Sequence, residues 1–216
     1  LGHTRQVGIL QSNRATGLLQ AARHEEALES LQAALQTYRS IGNRRDEGTV
    51  LNNLGTTIIE LGRMEEAAER YRQAIASFRE VGNVLDLCAP LVNLGEVELV
   101  SGHLDEAEPL LHETIAIGDA SWPTASALAR CVLGVVWARQ GRWSEGCRVL
   151  DEGRAGLGEM LPLEFLKSTA RRAMIAWIQG DLVEAEALRI ETDELARRLA
   201  VLPMSEAGAI TCTGCR

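Results

Sequence analysis

The chain repeats itself about every 40 residues, and that period restricts its fold more than any other feature. Residues 51–78, LNNLGTTIIELGRMEEAAERYRQAIASF, align with LVNLGEVELVSGHLDEAEPLLHETIAI at 91–117. They align also with QSNRATGLLQAARHEEALESLQAALQTY at 11–38. A fourth copy begins CVLGVVWARQGRWSEGCRVL at Cys131, and a fifth, STARRAMIAWIQGDLVEAEAL, at Ser168. One small residue marks the middle of each copy: Ala22, Gly62, Gly102, Gly141 and Gly180, at steps of 40, 40, 39 and 39. A unit this short cannot bury its apolar face alone. Neighbouring copies must stack to make a continuous core.

The unit is helical. Ala, Leu, Glu and Arg dominate, prolines number five, and alternating β-branched runs are missing. After each marker comes a polar turn and an acidic signature, HEEA, MEEA, LDEA, WSEG or LVEA. Acids in a helix's first turn face the positive end of its dipole. Ile41-Gly42-Asn43 and Val81-Gly82-Asn83 read as helix stops, where glycine takes the left-handed conformation without Cβ strain.

Leu51, Leu54, Gly55, Ile58, Gly62, Ala67, Tyr71 and Ala74 give the second copy a pattern that resembles the tetratricopeptide repeat. The resemblance implies two antiparallel helices, A and B, per unit. It implies an all-α, right-handed superhelix of about five such pairs plus a partial sixth. Small residues at 55, 67 and 74 would let the pair approach, with Leu54 and Tyr71 filling the space between. The fourth copy has Gly146 for the helix B alanine. The fifth has Arg172 where Leu is expected and Arg189 at a large apolar site. Units longer than the usual 34 residues resemble those of kinesin light chains, Rap-type peptide receptors and regulatory arms of bacterial signalling proteins. A single solenoid domain over 1–216 is expected, with repeats near 4–43, 44–83, 84–121, 122–160 and 161–200. Residues 201–216 read as a partial sixth helix A. Leu at position 1 suggests a piece of a longer protein.

In the resemblance, the A helices line the concave face, and Asn13, Asn53 and Asn93 fall on it at intervals of 40. Helical spacing adds Thr16, Thr56 and Glu96 as neighbours. An amide both donates and accepts, so a ladder of asparagines can hold an extended peptide backbone whatever its side chains. Asparagines bridging neighbouring A helices without a ligand are the alternative. Farther along, Arg139, Lys167 and Arg171 are candidates for an acidic peptide group. The expected partner is thus a peptide or protein, with another domain of the same parent chain among the candidates. Trp122, Trp137, Trp143 and Trp177 are expected to pack in the core or at turns, with an apolar anchor pocket as the alternative.

Other functions find little support. Net charge is −8, without the basic footprint of a nucleic-acid binder. No apolar run is long enough for a membrane span. Glycines fall at repeat spacing and not in a phosphate loop, and His3, His24, His103 and His112 are scattered. No catalytic residue, metal or cofactor is therefore expected. Five cysteines without a disulfide framework suit a reducing cytoplasm. Cys88, Cys131 and Cys147 read as small interhelical residues. Two alternatives stay open: self-assembly through an uncapped end, with a homo-oligomer as its product, and a metal or redox sensor at Cys212 and Cys215.

Overall fold

A computed structural model of the protein describes residues 2–158 and 161–199. These residues form ten α-helices and no strand. The chain divides into two compact units, Leu1–His103 and Leu104–Arg216. The partial sixth helix and Cys212 and Cys215 lie outside the described residues.

The first unit holds α1 (Gly2–Gln20), α2 (His24–Ser40), α3 (Arg44–Glu60), α4 (Met64–Glu80) and α5 (Val84–Ser101). Helices α1 and α2 pack as a hairpin, as do α3 and α4, and α5 lies against α4 and α3. The second unit holds α6 (Leu104–Ser121), α7 (Pro123–Arg139), α8 (Trp143–Leu157), α9 (Pro162–Gln179) and α10 (Leu182–Arg198). Here α7 and α8 are the tightest pair, flanked by α6 on one side and by α9 and α10 on the other.

The marker residues stop the helices. Gly62, Gly102, Gly141 and Gly180 have φ of 75°, 87°, 85° and 81°, and Ala22 holds the same left-handed conformation at 55°. Gly42 and Gly82 do likewise at 66° and 65°. Beyond each, the next amide reaches back five residues. Arg63 N donates to Ile58 O at 3.2 Å, and Asn43 N to Tyr38 O at 3.0 Å. This closure uses carbonyls that the helix end would leave unpaired. Asn43 and Asn83 then cap the next helices, accepting from Asp46 N and Asp86 N.

Close approach within pairs depends on missing side chains. A Cβ on Gly55 would lie 2.5 Å from the Tyr71 ring, and one on Gly48 would lie 2.9 Å from Phe78. In the fourth copy the approach is backbone to backbone. A Cβ on Gly146 would meet Gly134 O at 2.6 Å and Ala138 N at 2.9 Å. Gly146 therefore does more than replace an alanine: it brings α8 directly onto α7.

Arg172 takes the place of a core leucine and stays buried. Its Nη2 donates to Glu184 Oε1 at 2.6 Å and its Nε to Asp151 Oδ2 at 3.3 Å. Arg154 donates to Thr169 and Glu191. The α8, α9 and α10 contact is thus braced by charge, as the buried Glu47 and Glu98 brace helices of the first unit through Arg39 and Arg72. Arg189 instead points to solvent, paired with Glu186 and Asp193.

Candidate functional site

Each unit carries its own candidate positions. In the first, helix spacing places Asn13 and Thr16 on exposed positions of α1, and Asn53 and Thr56 one turn apart on α3. Asn53 is half-buried and Thr56 exposed. On α5, Asn93 and Glu96 are both half-buried. The flanking positions 54, 55, 94 and 95 are buried, which holds these polar residues on the opposite, accessible side. Thr56 Oγ1 lies 3.3 Å from the Tyr71 hydroxyl. Burial pushes that phenol up to about 12, so it remains a neutral partner.

One contact on this face is a bridge between neighbouring A helices, the alternative reading of the asparagines. Asn93 Nδ2 donates to Asn52 Oδ1 at 3.0 Å, joining α5 to α3. Asn52 stands next to Asn53 in LNNLG but is not repeated at the 40-residue period, which carries Asn53 to Asn93. Contacts between neighbouring A helices run instead at an offset of 41. Arg5 pairs with Asp46 and Arg45 with Asp86, both at 3.1 Å and both 41 apart. Asp46 and Asp86 also accept from the capping amides of Asn43 and Asn83. The signal was an Arg and an Asp separated by one period plus one.

In the second unit, the equivalent stripe of α7 is closed: Val132 and Val135 are buried. Arg139 is exposed in the last turn of α7. Lys167 and Arg171 lie one turn apart on α9, the first exposed and the second half-buried. Lys167 is already paired, with Glu164 Oε1 2.8 Å from its Nζ. Below them Met174, Trp177 and Ile178 are exposed, and Leu182 and Val183 continue the apolar surface at the start of α10.

The tryptophans divide. Trp137 is braced: its Nε1 donates to Glu108 at 2.8 Å, and the Arg142 guanidinium sits 4.1 Å from its ring centroid. Burial alone would raise the Glu108 carboxyl, but donors from Trp137, Gln140 and Arg142 outweigh it and hold it below its ordinary value. Trp122 and Trp177 are 41% and 48% exposed, contrary to the packed positions expected for them. Trp122 stands between α6 and α7, its amide donating to Gly118 O, and Trp177 lies in the last turn of α9.

Cys88 and Cys131 are buried and Cys147 is half-buried. Burial pushes Cys131 up to about 11 and raises Cys147 as well, which makes neither a ready thiolate. Among the described residues, no group of three or more His, Cys, Asp or Glu side chains could hold a metal ion. No described helix is long and apolar enough to cross a membrane.

Paired helices with left-handed stops, and polar stripes on α1, α3 and α5, define a helical-repeat scaffold for protein interaction. Two tetratricopeptide-repeat family models match the chain, one over residues 6–80 and the other over 89–113 and 127–152. The chain belongs to the tetratricopeptide-repeat proteins. Solved structures agree on the fold. The apo form of RapI matches with a TM-score of 0.75 and 8% identity, over 89% of this chain and 71% of that one. A putative kinesin light chain of Podosopora anserina matches at 0.71 and 18% identity, over 93% and 99%. The Rap conjugation gene regulator of plasmid pLS20, in complex with the Phr* peptide, matches at 0.73 and 15% identity, over 88% and 53%. No curated protein sequence matches.

Proposed function

We propose that the chain is a non-enzymatic, cytoplasmic binding module that holds an extended peptide or partner segment along its A helices. One observation carries the reading. Partly accessible amides of Asn53 and Asn93 lie on neighbouring A helices, beside Thr56 and Glu96, with Asn13 and Thr16 continuing the stripe on α1. Side-chain amides can pair with both N–H and C=O of a strand-like backbone. Each such bond contributes about 1 kcal/mol net, so affinity in the micromolar range needs further contacts. In the second unit, Arg139, Lys167 and Arg171 would receive an acidic group, and Lys167 would first have to leave Glu164. The peptide bound by the pLS20 regulator supports the reading by likeness of fold. We extend it to a regulatory or scaffolding arm of a larger bacterial signalling protein, built as one solenoid domain, whose partners include another domain of the parent chain.

Selection from a random peptide display library tests this, repeated with Asn53→Ala/Asn93→Ala. Peptides that bind the parent and lose at least tenfold in the variant support the clamp. Equal binding to both rejects it.

A second reading has its own observation. Trp177, Ile178, Leu182 and Val183 expose apolar surface on the last described helix pair, as a surface that joins another copy of the chain would. Light scattering decides: a mass that rises with concentration favours self-assembly, and a strict monomer removes it. A sensor at Cys212 and Cys215 rests on sequence alone and is tested by thiol titration with and without zinc.

A further inference from the structure

We propose that Asn52 is a positioning residue: it orients the Asn93 amide, so that the α3–α5 step is the main point on the A-helix face that holds a peptide backbone. The inference rests on the peptide-binding reading above and assigns a residue and a ligand chemistry within it.

The three ladder asparagines are alike in sequence and unlike in structure. Only Asn93 has a partner amide on the preceding A helix, with its Nδ2 3.0 Å from Asn52 Oδ1. The residue standing where Asn52 stands is Ser12 in α1 and Val92 in α5. Neither carries a side-chain amide, so the pair occurs once among the described A helices. A terminal amide turns about its last bond through a broad, two-fold potential. Left alone, it presents its oxygen or its nitrogen to a ligand with little preference. The bond to Asn52 removes that choice. Asn52 Oδ1 is an acceptor, so it holds the nitrogen end of Asn93 toward α3. One Asn93 N–H is consumed, and Asn93 Oδ1 remains as the acceptor. Neither Asn93 Oδ1 nor Asn52 Nδ2 takes part in another hydrogen bond among the described residues.

The ligand chemistry follows. The oriented Asn93 recognises a backbone N–H, which any residue but proline supplies. Both groups are half-buried, where a hydrogen bond is screened less than on an open surface. Asn53 and Asn13 lack such a brace and contribute less.

The experiment has two arms. Without any peptide, urea midpoints are compared for Asn52→Ala, Asn93→Ala and the double variant. If the amides pair, the double variant's shift equals the larger single shift. Shifts that add overturn the inference. The second arm measures affinity for a display-selected peptide that binds the parent. Asn52→Ala should lose about tenfold, as Asn93→Ala does. Asn52→Asp, which keeps the acceptor, should stay within about twofold, and Asn53→Ala should lose less than Asn93→Ala. N-methylating the contacted peptide residue should abolish the Asn93 contribution. If Asn52→Asp loses as much as Asn52→Ala, positioning is wrong. If the midpoints are non-additive and no peptide binds the parent, the binding reading fails, and Asn52 is a brace between helices that positions nothing for a ligand.

Discussion

Single residues decide how the turns close. Ala22 sits where every later copy has glycine and takes φ of 55°. A left-handed conformation costs a Cβ-bearing residue about 1 kcal/mol. Ala22→Gly should therefore raise stability, by somewhat less than about 1 kcal/mol because glycine also frees the unfolded chain. Gly62→Ala should lower it by a similar amount, and paired thermal melts would show both signs. Glycines at helix contacts behave differently. Gly146→Ala would push a methyl into the backbone of α7 and should cost about 2–3 kcal/mol. Gly55→Ala meets the Tyr71 ring first, a side chain and not backbone, and should cost less. Denaturant midpoints rank the two, and the reverse order would contradict the packing described. Each of these glycines was conspicuous in the sequence as a repeated small residue. Which of them faces a ring and which a backbone was not, because that depends on how closely two helices come together.

At the scale of elements, two ionic braces of the second unit can be tested. Asp119, near the end of α6, accepts from both Arg130 guanidinium nitrogens at 2.8 Å and from Ser126 at 2.5 Å. The Arg130 bonds first, then Ser126, hold Asp119 down to about 2. A depressed carboxyl stabilises the fold above its unfolded value near 4, and that contribution is lost as pH falls toward 2. Asp119 is half exposed, so solvent screening keeps the contribution below about 1 kcal/mol. Urea midpoints at pH 4.5 and 2.5 should fall further for the parent than for Asp119→Asn. The second brace surrounds Arg172. Glu184→Ala leaves a buried guanidinium short of a partner and should cost about 2–3 kcal/mol, whereas Arg172→Leu should be close to neutral. Equal losses for both would mean that the ion pair itself, and not its desolvation, dominates. A sequence pattern registers Arg172 only as a departure from leucine. Its rescuers, Asp151 and Glu184, lie 21 and 12 residues away on other helices.

At the scale of the molecule, chromophores separate the two units. Both tyrosines, Tyr38 and Tyr71, lie in the first unit, and all four tryptophans lie in the second. In a repeat array each copy touches only its neighbours, so a substitution acts locally. Gly55→Ala should shift the tyrosine-monitored transition more than the tryptophan-monitored one, and Gly146→Ala the reverse. Identical shifts by both probes would instead show a single cooperative unit.

The sequence by itself determined the helical class, the copy number among the described residues and where the turns fall. Those properties follow from local chemistry repeated at a fixed interval: apolar spacing, glycine at left-handed stops and acids at helix starts. Only the tertiary structure decided which polar residues meet. Asn52 and Asn93, Arg5 and Asp46, and Arg45 and Asp86 all pair at an offset of 41, one residue beyond the period that reveals the repeats. The period records how the chain was copied, while the offset records how one helix slides and turns against the next. That second quantity is set by side-chain volumes at the interface, and no single repeat contains it.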